Sequence, residues 1–204
     1  MAERPDPDAE LMLLVRDGDE AAFQKIFQRY AGRLVAFADR FFHNRAQSEE
    51  VVQEIFLKIY RVRGRYEQRS RFSTWLYTIA SRTCLKELRK HPRGRQQCLD
   101  DTARETIADS ARPRADEAMA GQQLQEALQR CLDELPEHQR LALLLTRFED
   151  RSYAEVAEIL GVSEGAVKSL VFRAASSLRR VVDAREKPCA PEERDEVEVV
   201  DHAL

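Results

Sequence analysis

The sequence predicts an all-α protein, and three observations support this fold class. Apolar residues recur three and four positions apart rather than in alternation, which is the period of amphipathic helices. Only seven glycines and seven prolines occur among 204 residues, so few positions interrupt a helix. Charged residues make up 34% of the chain, enough to cover the outer faces of those helices. We expect two small helical domains joined by a flexible linker, with a helix-turn-helix in the second.

The expected boundaries follow from composition along the chain. We assign residues 1–92 to the first domain, 93–117 to the linker, 118–183 to the second domain and 184–204 to a disordered acidic tail. The tail has seven acidic residues against three basic ones, and it is either a solvating appendage or a competitor of DNA for a basic surface.

Two helices are predicted at the start of the first domain. Leu11, Leu14 and Val15 form a short apolar stripe that ends at Gly18, and Asp19 is the expected N-cap of the next helix. That helix has a stripe wide enough to pack against two neighbours. The members of this longer stripe are Phe23, Ile26, Phe27, Tyr30, Leu34, Phe37, Ala38 and Phe41. We predict that they form core and not a cofactor site.

A third helix is expected to begin after Ser48 as N-cap, with Glu49 and Glu50 in its first turn. Its inward stripe is predicted to consist of Val52, Ile55, Phe56 and Ile59. Another face repeats at the same spacing and combines polar groups with a leucine: Glu50, Gln53, Glu54 and Leu57. This mixture suits docking to a partner helix, although an ordinary solvated face gives the same pattern.

Positive charge is concentrated between residues 58 and 95. This segment contains twelve basic and two acidic residues, a net charge of +10, whereas the whole chain carries −3. The loop 61–71 contains five arginines around Gly64, namely Arg61, Arg63, Arg65, Arg69 and Arg71. Their mutual repulsion has no evident compensation unless an anion binds, so this patch indicates a polyanionic partner.

Aromatic residues are interleaved with these arginines. Tyr66, Phe72, Trp75 and Tyr77 all lie in or just after the loop, and unpaired bases stack on such rings. The alternative is that the rings belong to the core and that the arginines form a solvated face. We favour single-stranded nucleic acid as the partner.

A fourth helix is predicted from Phe72 to about Lys90, ended by Pro92 and Gly94. Arg82, Lys86 and Arg89 are spaced four and three apart, so they form a basic stripe on one side of this helix. Beyond it, the linker of roughly 25 residues could span tens of ångströms if extended.

The second domain is expected to begin with a helix carrying Leu124, Ala127, Leu128, Cys131 and Leu132. Pro136 is predicted at the first position of the next helix, whose inward residues would be Leu141, Leu144, Leu145 and Phe148.

Residues 152–174 (SYAEVAEILGVSEGAVKSLVFRA) carry the most specific pattern in the chain. Ser152 and Glu155 form a capping box, Ala157 is small where two helices would cross, and Gly161 supplies the tight turn. A helix-turn-helix is therefore predicted, with Ser163 as the cap of its second helix. The residues expected to reach DNA in a major groove are Ser163, Glu164, Ala166, Lys168, Ser169, Leu170 and Arg173.

Several kinds of site are not predicted. No run of about 18 apolar residues occurs, and the N-terminus MAERPDPDAE lacks an apolar signal region, so we expect a cytoplasmic protein without membrane insertion. Cys84, Cys98, Cys131 and Cys189 are too scattered for a zinc site or a disulfide framework. No catalytic cluster or phosphate-binding loop appears, so we expect neither an enzyme nor a cofactor or metal.

Three segments together resemble the extracytoplasmic-function sigma factors of bacterial RNA polymerase. They are residues 49–60 (EEVVQEIFLKIY), 71–90 (RFSTWLYTIASRTCLKELRK) and 135–180 (LPEHQRLALLLTRFEDRSYAEVAEILGVSEGAVKSLVFRAASSLRR), and the likeness extends over nearly all of 17–182. The resemblance implies a first domain like sigma region two and a second like region four. It also implies three partners: core RNA polymerase, promoter DNA and an anti-sigma factor.

The resemblance assigns roles to the candidate residues. Glu50, Gln53, Glu54 and Leu57 would bind the polymerase clamp helices. The helix-turn-helix would recognise the minus-thirty-five element. The minus-ten element would be opened and recognised by Arg61, Arg63, Arg65, Tyr66, Arg69, Arg71, Phe72, Trp75, Arg82, Lys86 and Arg89.

The chain departs from the family pattern at several of these positions. The family usually has arginine at Leu170, further basic residues at Ala175 and Ser176, and asparagine at Arg82. Leucine offers a base only apolar contact, so we hypothesise that Leu170 faces a thymine methyl group. Alternatively, Leu170 packs inward near Leu145 and is silent in recognition.

Two other functions remain open at this point. A two-domain regulator that does not join the polymerase would account for the helix-turn-helix, and an RNA-binding or nucleic-acid-modifying enzyme would account for the basic patch. Co-purification with RNA polymerase distinguishes the three.

Overall fold

The computed structural model describes the backbone of residues 6–90 and 115–186 and the side chains of 6–90 and 121–184. Every regular element within these residues is helical. The helices are α1 (Pro7–Arg16), α2 (Glu20–Phe42), α3 (Arg45–Val62), α4 (Phe72–Lys90), α5 (Ala115–Glu134), α6 (Glu137–Arg147), α7 (Tyr153–Leu160) and α8 (Glu164–Glu186). A single 3-10 turn, Arg63–Arg65, follows α3. The fold class is confirmed.

The proposed domain boundaries fall close to helix ends. Both α5 and α8 extend three residues beyond the predicted limits of the second domain, since α5 begins at Ala115 and α8 ends at Glu186. Cys98, Cys189, most of the predicted linker and most of the acidic tail lie outside the described residues.

In the first domain, α2 packs against α1 and α3, and α4 contacts all three of these helices. The inward face of α1 is formed by Ala9, Met12 and Val15, whereas Leu14 is 49% exposed. Of the predicted stripe, Val15 is buried and Leu11 packs against the core, so only Leu14 was wrong. Phe27 is also more exposed than predicted, at 43%, although its ring lies 4.7 Å from that of Phe56.

The cap of α3 differs from the prediction. Asn44, not Ser48, is the N-cap, and its side chain accepts a hydrogen bond from the N–H of Gln47 at 3.1 Å. Ser48 is fully buried one turn inside the helix and donates to the carbonyl of Asn44 at 2.8 Å. Because Asn44 is as good a cap as serine, the helix starts one turn earlier and Glu49 and Glu50 fall outside its first turn. Asp19 is confirmed as the N-cap of α2, since its side chain accepts a hydrogen bond from the N–H of Ala22 at 3.0 Å.

The second domain contains the predicted helix-turn-helix in α7 and α8. Ser152 accepts from the N–H of Glu155 at 3.2 Å, and the Glu155 carboxylate accepts from the N–H of Ser152 at 2.9 Å, which completes the capping box. Gly161 ends α7 with a φ of +69°, a conformation that glycine adopts without strain. Pro136 occupies the N-cap position of α6 and not its first helical position.

Phe148 is the other correction in this domain. It was expected to point inward from α6, but it is the C-cap residue of that helix and is 50% exposed. The guanidinium of Arg40 from the first domain lies 4.2 Å from the centre of its ring. The ring thus contributes to a contact between the domains.

A buried carboxylate lies at the centre of that contact. Glu149, only 6% exposed, accepts a hydrogen bond from the hydroxyl of Tyr77 and lies 3.5 Å from a nitrogen of Arg33 and 3.8 Å from one of Arg40. A buried carboxylate requires such partners, since its desolvation is otherwise very costly. The Tyr77 pKa is raised, first by burial and then by the hydrogen bond to Glu149, so its hydroxyl stays a donor.

A second group of polar contacts ties α4 to the helix-turn-helix. Arg151 donates to the hydroxyl of Ser73 at 2.6 Å, and its guanidinium lies 4.8 Å from the ring centre of Tyr77. In this compact arrangement the second domain therefore covers part of the first two turns of α4.

The length and apolarity required to cross a membrane are not combined in any helix of the described part of the chain.

Candidate nucleic-acid interface

The loop between α3 and α4 presents most of the predicted arginines to solvent. Arg61, Arg65, Arg69 and Arg71 are exposed, and Arg63 is half-buried. They occupy the end of α3, the 3-10 turn and the segment between that turn and α4.

Three of these arginines have partners within the chain, which the sequence did not indicate. Arg63 donates to the carbonyl of Tyr60 at 2.7 Å, Arg69 lies 2.5 Å from Glu67, and Arg71 lies 3.9 Å from Glu155 of the second domain. Arg61 and Arg65 make no hydrogen bond or ion pair with the residues that the structure describes. These two carry the uncompensated charge of the loop.

The aromatic residues lie deeper than predicted. Tyr66 is 2% exposed and Phe72 and Tyr77 are fully buried, whereas Trp75 is half-buried. The expectation that Tyr66 and Phe72 offer ring faces to bases is not met in this arrangement. Instead they support Trp75, whose ring centre lies 4.9 Å from that of Tyr66 and 5.9 Å from that of Phe72.

Burial explains the electrostatic state of Tyr66. Loss of hydration, followed by the nearby carboxylate of Asp6, raises the pKa of Tyr66 to about 12. Its hydroxyl finds no hydrogen-bond partner among the described side chains. The ring is thus a neutral part of the apolar cluster that it forms with Phe72 and Trp75.

The basic stripe on α4 continues this surface. Arg82 and Lys86 are exposed on one side of the helix, as predicted from their spacing. Arg89, one turn further, donates two hydrogen bonds to Glu137 at the start of α6, at 3.0 and 2.5 Å. Arg89 is therefore engaged by the second domain in the compact arrangement.

The face of α3 proposed for a partner helix lies opposite its buried stripe. Glu50 and Gln53 are exposed, Leu57 is 54% exposed, and Glu54 lies 2.7 Å from Lys58. The hydrogen bond from Lys58 lowers the pKa of Glu54, so this carboxylate is charged at neutral pH. A large exposed leucine beside a charged carboxylate is a suitable contact for another protein.

The second helix of the helix-turn-helix, α8, begins at the predicted cap. Ser163 accepts from the N–H of Ala166 at 3.2 Å. The exposed candidates on this helix are Glu164, Lys168, Ser169 and Arg173, while Ala166 and Leu170 are half-buried. Leu170 packs against the core, the arrangement expected from the alternative in which it does not face DNA.

One exposed residue of α8 was not among those predicted to reach DNA. Phe172 is 72% exposed, the most exposed large apolar side chain among the described residues. The available signal was the period of the helix, since Val167, Val171 and Ala174 take the inward positions and force Phe172 outward beside Lys168 and Ser169. Phe172 has the exposed apolar surface that was predicted for Leu170.

Comparison with known proteins gives two family matches in this order along the chain. Residues 26–94 match the model described as Sigma-70 region 2, and residues 125–178 match the model described as Sigma-70, region 4. The first match contains the arginine loop and α4, and the second contains the helix-turn-helix.

Similar proteins match over most of their length. The chain is 30% identical over 184 residues to the RNA polymerase sigma-H factor of Pseudomonas aeruginosa, covering 86% of this chain and 93% of that protein. It is 36% identical over 169 residues to the RNA polymerase sigma factor CarQ of Myxococcus xanthus, covering 82% and 92%. It is 29% identical over 188 residues to the ECF RNA polymerase sigma-E factor of Escherichia coli, covering 89% and 95%.

Solved structures share the fold. CnrH in complex with the cytosolic domain of CnrY matches with a TM-score of 0.65 at 22% identity, covering 88% of this chain and 99% of that one. The sigma factor RpoE in complex with the anti-sigma factor NepR from Bartonella quintana matches with a TM-score of 0.58 at 23% identity, covering 79% and 96%.

Proposed function

Because this chain belongs to the extracytoplasmic-function sigma factors of the sigma-70 family, we propose that it binds core RNA polymerase, recognises and opens specific promoters, and starts transcription. One observation carries this proposal: an arginine-rich loop beside packed aromatic rings and a helix-turn-helix occur in order on one chain, together with an exposed face of α3 that includes Glu50, Gln53 and Leu57. The protein acts by binding, not by catalysis.

Each surface has a proposed role. Glu50, Gln53, Glu54 and Leu57 contact the polymerase. Arg61 and Arg65 hold the phosphates of the opened strand, with Trp75 as the stacking residue. An anti-sigma factor, as in the complexes of related proteins, is the proposed regulator, and the cytoplasm, where polymerase and promoters are, is the proposed location.

The regulator that does not join the polymerase is disfavoured. Such a protein would account for α7 and α8 alone, whereas this chain matches sigma factors over both halves. A run-off transcription assay tests the proposal. Purified core polymerase with this chain is expected to start transcription from a defined promoter, and a chain that binds the promoter but gives no transcript with core would contradict it.

Simultaneous contact with both promoter elements requires the domains to separate. The elements are about 25 base pairs apart, which is about 85 Å at 3.4 Å per base pair. In the structure, however, Arg71 of the arginine loop (residues 61–71) lies 3.9 Å from Glu155 of the helix-turn-helix. The 24 residues 91–114 can span at most about 80 Å. This span together with the width of the two domains is enough for each domain to reach its own promoter element.

The loop arginines are expected to affect the salt dependence of promoter binding. Changing Arg61→Ala or Arg65→Ala should reduce the slope of log affinity against log salt by about 0.7 each, because each removes one contact with a single-strand phosphate. Holoenzyme titrations with a promoter unpaired at the minus-ten element, at several salt concentrations, measure this slope. Arg16→Ala on α1 is the control, and slopes that match the parental value in both loop variants would leave these arginines as a solvated face.

Phe172 is expected to contribute apolar contact in the minus-thirty-five groove. Phe172→Ala should weaken binding to the duplex element by about 1–2 kcal/mol, since part of a phenylalanine surface would no longer be buried against DNA. Its melting temperature should hardly change, because the ring is exposed.

Two comparisons sharpen that measurement. Phe27→Ala changes an exposed ring in the first domain and should leave duplex binding unaltered. Leu170→Arg should lower the melting temperature and weaken binding to all promoters alike, because Leu170 is packed against the core. A stable Leu170→Arg variant that prefers guanine at one position would instead support the thymine contact of Leu170.

A further inference from the structure

The side-chain carboxylate of Asp6, near the N-terminus of the chain, connects two helices that are far apart in sequence. Its Oδ1 accepts a hydrogen bond from the N–H of Asp8 at 3.1 Å, which caps α1. Its Oδ2 accepts from the N–H of Phe72 at 2.8 Å, at the first residue of α4. One side chain therefore serves the N-termini of both helices.

Among the described residues, no side chain next to the start of α4 in sequence accepts a hydrogen bond from its first N–H groups. The backbone carbonyl of Arg71 accepts from the N–H groups of Thr74 and Trp75, so Arg71 is at the position where a capping side chain normally acts. A guanidinium has only donors and cannot cap N–H groups. The negative charge of Asp6 also lies at the positive end of the α4 dipole, where it is favourable.

The hydrogen bond that Asp6 accepts from the N–H of Phe72 fixes the first turn of α4, which follows the arginine loop. Phe72 is fully buried, and its ring centre lies 5.5 Å from that of Tyr30 and 5.9 Å from that of Trp75. Trp75 is less than one turn further along α4. The position of the Phe72 backbone thus sets where the half-buried Trp75 ring lies.

Asp6 is itself held firmly. Asp8, two residues on, accepts from the hydroxyl of Tyr30 at 2.6 Å and from Arg29, both on α2. Ala9 and Met12 of α1 are fully buried in the first-domain core. The N-terminal helix is thus a fixed base from which Asp6 reaches α4.

We propose that Asp6 is a positioning residue for promoter opening, which holds the first turn of α4 so that Trp75 and the end of the arginine loop meet the unpaired strand in one geometry. Asp6 acts through α4 and not through DNA, because its two carboxylate oxygens accept hydrogen bonds from the N–H groups of Asp8 and Phe72. The inference rests on the proposed function as a sigma factor, but the Asp6 contact itself can be tested in the free chain.

Two substitutions separate the two bonds of Asp6. Asp6→Ala removes both. Asp6→Ser keeps a side-chain acceptor for α1, because serine is an equally good N-cap, but its short hydroxyl cannot also reach Phe72. Asp17→Ala, at the exposed other end of α1, is the matched control, since Asp17 pairs only with its neighbour Arg16 among the described residues.

Trp75 provides a direct readout because it is the single tryptophan of the chain. In the free full-length protein we expect both Asp6 variants to shift Trp75 emission to longer wavelength and to increase its quenching by iodide. In holoenzyme on a duplex promoter, we expect both to lower the equilibrium for open-complex formation about fivefold, the size of a lost helix cap. Core affinity and binding to the minus-thirty-five duplex should stay at the parental level, as should all readouts of Asp17→Ala.

Three results would overturn the proposal. Parental Trp75 emission and parental promoter opening in Asp6→Ser would show that the bond to Phe72 is unimportant. A defect in Asp6→Ala that Asp6→Ser restores would assign the effect to the cap of α1. An equal loss of core binding and opening would indicate general unfolding. Failure of the parental chain to bind core would instead refute the proposed function, and the emission of Trp75 would still decide whether Asp6 positions it.

Discussion

The double change Glu54→Lys and Leu57→Ala is expected to weaken binding to core RNA polymerase by about 2–4 kcal/mol, or roughly 30- to 1000-fold. Leu57 loses the exposed apolar surface that a partner would bury. Lysine at position 54 stands beside Lys58, so a neutralised pair becomes two adjacent positive charges. Fluorescence-polarisation titration of labelled protein with core polymerase measures the loss.

A matched control is available on α1. Glu10 and Leu14 are also an exposed acidic residue and an exposed leucine on one helix, so Glu10→Lys with Leu14→Ala makes the same chemical change elsewhere. We expect parental core affinity for the control and unchanged helicity by circular dichroism for both variants. Equal affinity of the α3 variant and the parental chain would remove this face from the polymerase contact.

Glu149→Ala is expected to destabilise the compact arrangement of the two domains by about 3 kcal/mol. Removing one partner of a buried charge network costs about 3–5 kcal/mol, and the lower end applies here because Arg33 and Arg40 keep partial access to water. Tyr77 also loses the acceptor of its hydroxyl. Small-angle scattering of the free protein should show a larger radius of gyration.

The exposed Glu158 of α7 supplies the comparison for this change. Glu158→Ala should scatter as the parental protein does, because it removes a carboxylate from the same domain without touching the contact. A Glu149→Ala protein as compact as the parental chain would show that the network around Glu149 does not hold the domains together.

Local patterns in the sequence predicted the helices and the turn chemistry well. The capping box of Ser152 and Glu155 and the turn at Gly161 depend on neighbours within a few positions, so their outcome is visible in the chain itself. Ser48 was wrong because two acceptable caps, Asn44 and Ser48, lie one turn apart, and local propensity does not choose between them.

The candidate site was harder to predict because its exposure depends on tertiary packing. The interleaving of aromatic residues with arginines is visible in the sequence, but it could not show that Tyr66 and Phe72 are buried in contact with Trp75. Contacts over long sequence distances, such as Asp6 with Phe72 and Glu149 with Tyr77, leave no periodic signal at all. On α8, Leu170 was the predicted apolar contact because it lies at the position where the family usually has arginine, whereas in the structure Leu170 packs against the core and Phe172 is exposed.

Association with core RNA polymerase tests the central claim most directly. The full-length chain is mixed with purified bacterial core polymerase and passed over a size-exclusion column, with a housekeeping sigma factor then added as competitor. We predict that the chain co-elutes with core, that the housekeeping factor displaces it, and that Glu54→Lys with Leu57→Ala elutes alone. A parental chain that elutes apart from core while still binding promoter duplex would contradict the assignment as a sigma factor and support a regulator that works without joining the polymerase.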